Sequence, residues 1–419
     1  MNPFRAIATR NVSRNKRRSA VTMASIAFGV AAVLVMEAYA QGFLGLMVDS
    51  VVKARSGAIQ IHKTGYMKNR SGNPAEFAFP YEEDLAVKIR RVAGVTALTR
   101  RVTFTGMITN GRNQTMFAAR SLDLATEKSV CPNAGEDLEE GGESLTIGDH
   151  AATLVGAELA QSMSAFPARL KALSADPNAV DILTLSSTSP EGRQNSLDVT
   201  VKGTMKSLLG FESKRVITVP IKLAQELLGL GDRITEIAVA IDDLTRVDAI
   251  RDQLSTALGA DFEVHDWQEA NPFVRDILER QKILMGIVST VLFVIVVFGV
   301  TNTMLMSVYE RVREIGTMLS VGVRRKQVAT IFVWEGLTIA VLGCAAGLVL
   351  GWVALKALVA MGVVLPSIGT TRQAEFYPEI ALMFALKAVA MTTIGAALAS
   401  LWPAVKAARL DPVEALRST

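Results

Sequence analysis

Apolar and polar positions are sorted into blocks along this chain. Four runs are apolar enough to cross a hydrocarbon core of about 30 Å, which takes about 20 helical residues. They cover residues 20–40, 283–308, about 328–359 and about 380–402. The stretch between the first and second runs, about 45–280, has ordinary polarity and shorter periods. Gly57-Ala58-Ile59-Gln60-Ile61-His62 alternates as a strand does. Residues 82–92 place Leu85, Ile89 and Val92 on one helical face. Residues 95–108 return to strand formers, and 114–119 can pair with them across the turn-forming Asn110-Gly111. The same order recurs as a strand at 236–241, a helix at 247–258 and a strand at 262–265. Two such units predict one α+β subdomain whose halves flank an insert at about 126–214. Inside the insert, strand candidates at 181–187 and 197–203 are joined by the turn Ser189-Pro190-Glu191-Gly192. The acidic segment 137–143 has no calcium-loop spacing and reads as a solvated loop.

Basic residues orient the spans. Arg5, Arg10, Arg14, Lys16, Arg17 and Arg18 precede the first, and Arg311, Arg313, Arg324, Arg325 and Lys326 lie between the second and third. Lys406, Arg409 and Arg417 follow the fourth, whereas the loop 362–379 carries only Arg372. Positive charge marks the cytoplasmic side, so both termini of this multi-pass chain are expected there and 45–280 outside. The predicted order is a basic amphipathic helix lying on membrane lipid (1–19), a first span and stalk (20–44), the periplasmic domain (45–280) and a second span (281–308). A cytoplasmic segment (309–327), a third span (328–361), a short outer loop (362–379), a fourth span (380–403) and a cytoplasmic tail (404–419) complete it. Ala38-Tyr39-Ala40 resembles a signal-peptide cleavage site, but the run is longer than a signal core and Glu37 stands beside it. Glu37, Lys356 and Lys387 lie toward the outer-leaflet halves of the spans, where Glu37 could pair with either lysine or all three could reach the interface. Gly343, Gly347 and Gly351 share one face of the third span, the pattern that lets helices approach closely in lipid.

Half the residues are apolar, the mean hydropathy is +0.31 and the net charge is only +4, so nothing points to nucleic acid. Cys131 and Cys344 lie in unlike surroundings, and His62, His150 and His265 are far apart without metal-ligand spacing. No nucleophile motif or acid pair marks a catalytic site. The 419 residues contain no G-x-x-x-x-G-K-[ST] phosphate loop, so a non-catalytic subunit without its own cofactor is expected, with ATP and Mg bound by a partner ATPase.

In the segment after the second span, Glu310, Arg313 and Glu314 share one face of a helix, and Val312, Ile315 and Leu319 form an adjacent apolar stripe able to dock into a partner's groove. Glu310-Arg311-Val312-Arg313-Glu314-Ile315-Gly316, followed by Gly322, resembles the E-R-x-R-E-I-G…G coupling segment of the FtsX-like permease family of ABC transporters. The segment 403–417, with Asp411-Pro412-Val413-Glu414 shaped as a helix start, resembles that family's C-terminal signature, and 8–18 its opening. The resemblance implies four transmembrane helices plus an α+β extracytoplasmic domain with MacB-like Porter and Sabre subdomains. It also implies a homodimer or heterodimer of permeases on a cytoplasmic LolD-like or MacB-like ATPase, with Glu310, Arg311, Arg313, Glu314, Ile315 and Gly316 as the coupling residues. Residues 56–66, 155–160 and 265–267 look nearest to the LolC and LolE members, which implies extraction of lipoprotein or another amphipathic substrate and a periplasmic chaperone or adaptor. Val33, Met36 and Ile287 are then expected to face the substrate. Control of a periplasmic cell-wall hydrolase, or MacB-like efflux of peptides or drugs, are the alternatives.

Overall fold

The computed structural model describes residues 16–69, 72–135, 138–139, 141–173, 178–205, 214–361, 382–412 and 415. Most of the expected N-terminal amphipathic helix, the outer loop 362–379, and Val413 and Glu414 of the expected C-terminal helix start lie outside the described residues. The chain forms two compact units, one built from the residues up to Leu44 and from Leu278 onward, the other from Gly45–Ile277.

The first unit contains four helices long and apolar enough to cross a membrane: Ser19–Gly45, Pro272–Glu310, Arg325–Ala360 and Leu382–Ala408. The second helix starts at Pro272, ahead of the expected 281, because its first turns are made of polar helix formers such as Arg275, Glu279 and Arg280, which hydropathy does not register. Ile26, Val30 and Leu34 of the first helix meet Val296, Val300 and Met304 of the second, Ile339 and Cys344 of the third, and Ala385, Ala396 and Ala399 of the fourth. In lipid such a bundle gains little from hiding apolar surface and is held by close packing. The glycine stripe supplies that packing. A Cβ on Gly347 would stand 2.8 Å from the Ala27 carbonyl and 2.8 Å from Val30 Cβ, and one on Gly343 would stand 2.8 Å from Ile26 Cγ2. The first and third helices therefore touch backbone to backbone along this face.

The second unit holds a four-stranded antiparallel sheet and a closed six-stranded barrel. The sheet order is Phe262–Asp266, Ile59–Lys63, Glu236–Ile241, Val95–Arg101, so early and late parts of the chain interleave. Helices Glu83–Arg90 and Val247–Leu258 pack on it through Ala86, Ile89, Ile250 and Leu254, their buried positions at helical spacing. The barrel runs Thr103–Thr109, Gln114–Leu122, Val216–Pro220, Ala152–Gly156, Gln194–Met205, Ile182–Thr188 and back to the first.

The inserted piece is wider than the expected 126–214, because the expected strand at 95–108 is two strands in different sheets. The chain changes sheet at Val102, where side-chain hydroxyls replace ladder partners. Val102 N–H donates to Ser121 Oγ at 2.7 Å, and Thr103 N–H donates to Thr235 Oγ1 at 2.7 Å. Hydropathy cannot register this corner, since both halves read as good strand. At the tip of the barrel, Asn110 Oδ1 accepts from the N–H groups of Arg112 and Asn113, which closes the expected turn.

Gly347→Val should overpack the first–third helix contact and destabilise the membrane unit by about 1–3 kcal/mol. Gly286→Ala, which meets nothing within 4 Å, should be neutral or stabilising. Melting temperatures of the two detergent-purified variants check this.

Candidate functional site

The segment joining the second and third spans folds into a helix, Val312–Ser320. It ends where Gly322 takes φ 96°, a left-handed conformation that a side chain would strain. Val323 N–H then returns to the Met318 carbonyl at 3.0 Å. The third span opens with Arg324 N–H donating to Gln327 Oε1 at 2.9 Å.

This short helix is fastened to its own chain. Ile315 is fully buried with Val308, Val328, Phe332, Ala404 and Ala407, drawn from the second, third and fourth spans. Leu319 and Met318 pack against the same cluster. Ile315 and Leu319 of the apolar stripe are therefore packed inside the bundle and not offered to a partner, a correction to the docking role expected of them; Gly316 is buried beside them. What faces outward is the charged side: Glu310, Arg313 and Glu314 are exposed.

Arg311, at the N-cap, points the other way. It is 4% exposed, and its Nη1 donates to Glu335 Oε2 at 3.1 Å. Ser307 Oγ donates to the other carboxylate oxygen at 3.3 Å. Glu335 belongs to the third span and is 2% exposed. Sequence patterning does not single it out, because an acid three turns past Arg324, Arg325 and Lys326 reads as an interfacial residue. The pair joins the start of the short helix to the third turn of the third span. Near it, Lys406 Nζ donates to the Tyr309 hydroxyl at 2.5 Å and lies over the Tyr309 and Trp402 rings, tying the second span to the fourth.

The expected outer-leaflet charges are not brought together. Glu37 accepts from Gln41 Nε2 at 2.9 Å, and among the described residues no ion pair links it to Lys356 or Lys387, both exposed. The reason is their positions on the helices: the face of the third span toward the first is the glycine stripe, and Lys356 lies off it. Lys387 instead borders a cavity of about 130 Å3 together with Val33, Phe293 and Phe384. Met36 is half-buried, and Ile287 is exposed on the second span.

In the outer unit the sheet is built over a second buried arginine. Arg101 has no exposed surface. Its Nε and Nη2 hold Glu127 at 3.2 and 2.5 Å, its Nη1 holds Glu236 at 2.9 Å, and Nη2 also meets Cys131 Sγ at 3.2 Å. These partners come from the Val95–Arg101 strand's neighbours in space, 26 and 135 residues away in sequence. Burial alone would raise the Glu236 carboxyl, but His62 and Arg101 beside it bring it down to about 2 from its ordinary 4.5. Burial also pushes the Cys131 thiol up.

Two outcomes follow from these buried charges. Glu335→Gln leaves a buried guanidinium without its counter-charge and should cost about 3–5 kcal/mol, whereas Arg311→Met with Glu335→Met should recover most of the loss; melting temperatures in detergent check both. Because the folded carboxyl of Glu236 titrates below its ordinary value, its contribution is fully present above about pH 4.5 and is lost as pH falls toward 2. That contribution is roughly 3 kcal/mol. Protection factors of the sheet amides, corrected for the pH dependence of intrinsic exchange, should therefore fall through this window in the wild type and less steeply in Glu236→Gln.

Comparison with known proteins agrees with this geometry. The FtsX-like permease C-terminal family model matches residues 286–412, and the MacB-like periplasmic core domain model matches residues 19–257. The macrolide export ATP-binding/permease protein MacB of Azoarcus sp. (strain BH72) is 26% identical over 98% of this chain, and that of Nitrobacter winogradskyi is 25% identical over 96%. The chain spans 58% of the length of each of these relatives. The solved periplasmic region of MacB from Actinobacillus actinomycetemcomitans is 12% identical, covering 54% of this chain and 95% of that one at a TM-score of 0.34. With the helix Val312–Ser320 inside one match and most of the outer unit inside the other, the chain belongs to the FtsX-like, MacB-type permeases of ABC transporters, membrane proteins with an extracytoplasmic domain.

Proposed function

We propose that this chain transmits mechanical work: an ATPase module that binds ATP and Mg moves the helix Val312–Ser320, and the spans carry that movement to the outer unit. The observation that carries this reading is the two-sidedness of the helix. Its charged face is exposed, while Arg311 and Ile315 fix its other face to three spans. A push on Glu310, Arg313 or Glu314 cannot be absorbed by a loose loop, since the buried ion pair and apolar cluster must move with it. Under this reading both termini and the coupling helix are cytoplasmic, the membrane is a bacterial inner membrane, and the permease works as a pair with a second copy or a relative. The ATPase is a LolD-like or MacB-like module.

The substrate in this proposal is amphipathic. Export of a small molecule or peptide is favoured by the relatives, whose name specifies macrolide export. Extraction of a lipoprotein, passed to a periplasmic chaperone or adaptor, draws support from the apolar cavity at Val33 and Phe384, which has a lysine at its border.

Reversing both acids, Glu310→Lys with Glu314→Lys, should release the ATPase or abolish coupled hydrolysis while the chain still inserts and folds. Co-purification and ATP turnover in reconstituted membranes check it. Full retention of both would remove the helix from the mechanism.

A further inference from the structure

The outer unit holds a cavity of about 330 Å3 that coupling does not use. It lies where the four-stranded sheet meets the barrel. The sheet contributes His62 and Glu236 to its wall, and the barrel contributes Ala118, Arg120, Met205 and Thr218. Pockets for small ligands begin at about this size and combine an apolar lining with a few polar groups.

Its polar wall is not satisfied within the chain. His62 is 1% exposed, yet neither ring nitrogen makes a hydrogen bond. Its Nε2 stands 3.6 Å from Glu236 Oε2, and Tyr66 stacks on the ring at 4.1 Å. Glu236 lies at ion-pair distance from Nε2, which leaves Nδ1 as the unmet atom, and a buried polar atom in that condition costs free energy until something meets it. Arg120 is half-buried and has five N–H donors to place. It makes one hydrogen bond, to the Arg55 carbonyl, and among the described residues it has no ion pair. Glu127 and Glu236, the carboxylates of this region, are both engaged by Arg101. Burial and the positive charge of Arg101 lower the Arg120 pKa, so an added anion is favoured there. Of the lining residues with permanent charge, Arg55 and Arg120 outnumber Glu236. Ala118 and Met205 supply apolar surface in the same cavity.

We propose that this cavity binds a small amphiphile whose anionic head meets Arg120 and His62 and whose short apolar body lies against Ala118 and Met205. A bare anion would leave the apolar wall wet, and an uncharged amphiphile would leave Arg120 without a counter-charge. Both halves of the ligand are therefore required.

The test uses the full chain in lipid nanodiscs, titrated with octanoate, with octanol and with inorganic phosphate, against empty discs. Octanoate should saturate one site per chain above the uptake of the discs, and neither octanol nor phosphate should match its affinity. Arg120→Gln should weaken octanoate by about tenfold, the loss of a charged hydrogen bond. Ala118→Trp, at an exposed position whose side chain borders the cavity, should abolish the site without lowering the melting temperature; it decides the matter if Arg120→Gln does not fold. Three results would overturn the assignment: no saturable octanoate binding above empty discs, phosphate alone binding as tightly, or octanoate binding unchanged in Ala118→Trp.

Discussion

A guanidinium taken out of water must be met by a carboxylate, and each unit of this chain is organised around one such meeting. In the membrane unit Arg311 meets Glu335, with Ser307 on the second carboxylate oxygen. In the outer unit Arg101 meets Glu127 and Glu236. Such pairs add little net stability compared with apolar packing, yet breaking one side is costly. Their consequence is geometric. Arg101 holds a strand, the segment after the barrel's second strand and a late strand in one arrangement, which fixes where the chain leaves the sheet at Val102. Arg311 ties the start of the short helix Val312–Ser320 to the third span.

The same pairing separates what the short helix shows from what it hides. Nine residues, Val312–Ser320, carry one buried and one exposed face. The hidden face is spent on Val308, Val328, Phe332 and Ala407, the second, third and fourth spans together. The glycine stripe then relays position from the third span to the first by direct backbone contact at Ala27. Packed contacts therefore run from Ile315 onto the third span at Val328 and Phe332, and from Gly347 of that span to Ala27 of the first.

Much of this was legible in the sequence, and the failures have physical causes. The four spans are visible because apolar runs of that length have few other uses, and the close face of the third span is visible because glycines four apart allow little else. The sheet's two strand–helix–strand units are visible in their alternating periods. The barrel was only partly legible: its strands at 182–188 and 194–205 alternate cleanly, but the corner at Val102 depends on Ser121 and Thr235, hydroxyls that look like ordinary strand residues. The coupling segment could be located, yet not its polarity, since a stripe of Val312, Ile315 and Leu319 does not say whether it faces the chain itself or a partner. Glu335 was illegible because its meaning depends on Arg311, 24 residues away. Glu37 was legible as a charge in lipid, but its neighbour is Gln41, one turn along its own helix.

Under the proposed mechanism the Arg311–Glu335 pair moves as one mechanical unit. A double-mutant cycle tests it most directly: Arg311→Gln, Glu335→Gln and the two together, reconstituted with the ATPase and read by ATP-dependent distance changes between labels on the outer units. Each single change should lose most of the movement, and the double change should lose no more than either single one. Effects that add, or movement that survives in both single variants, would contradict it.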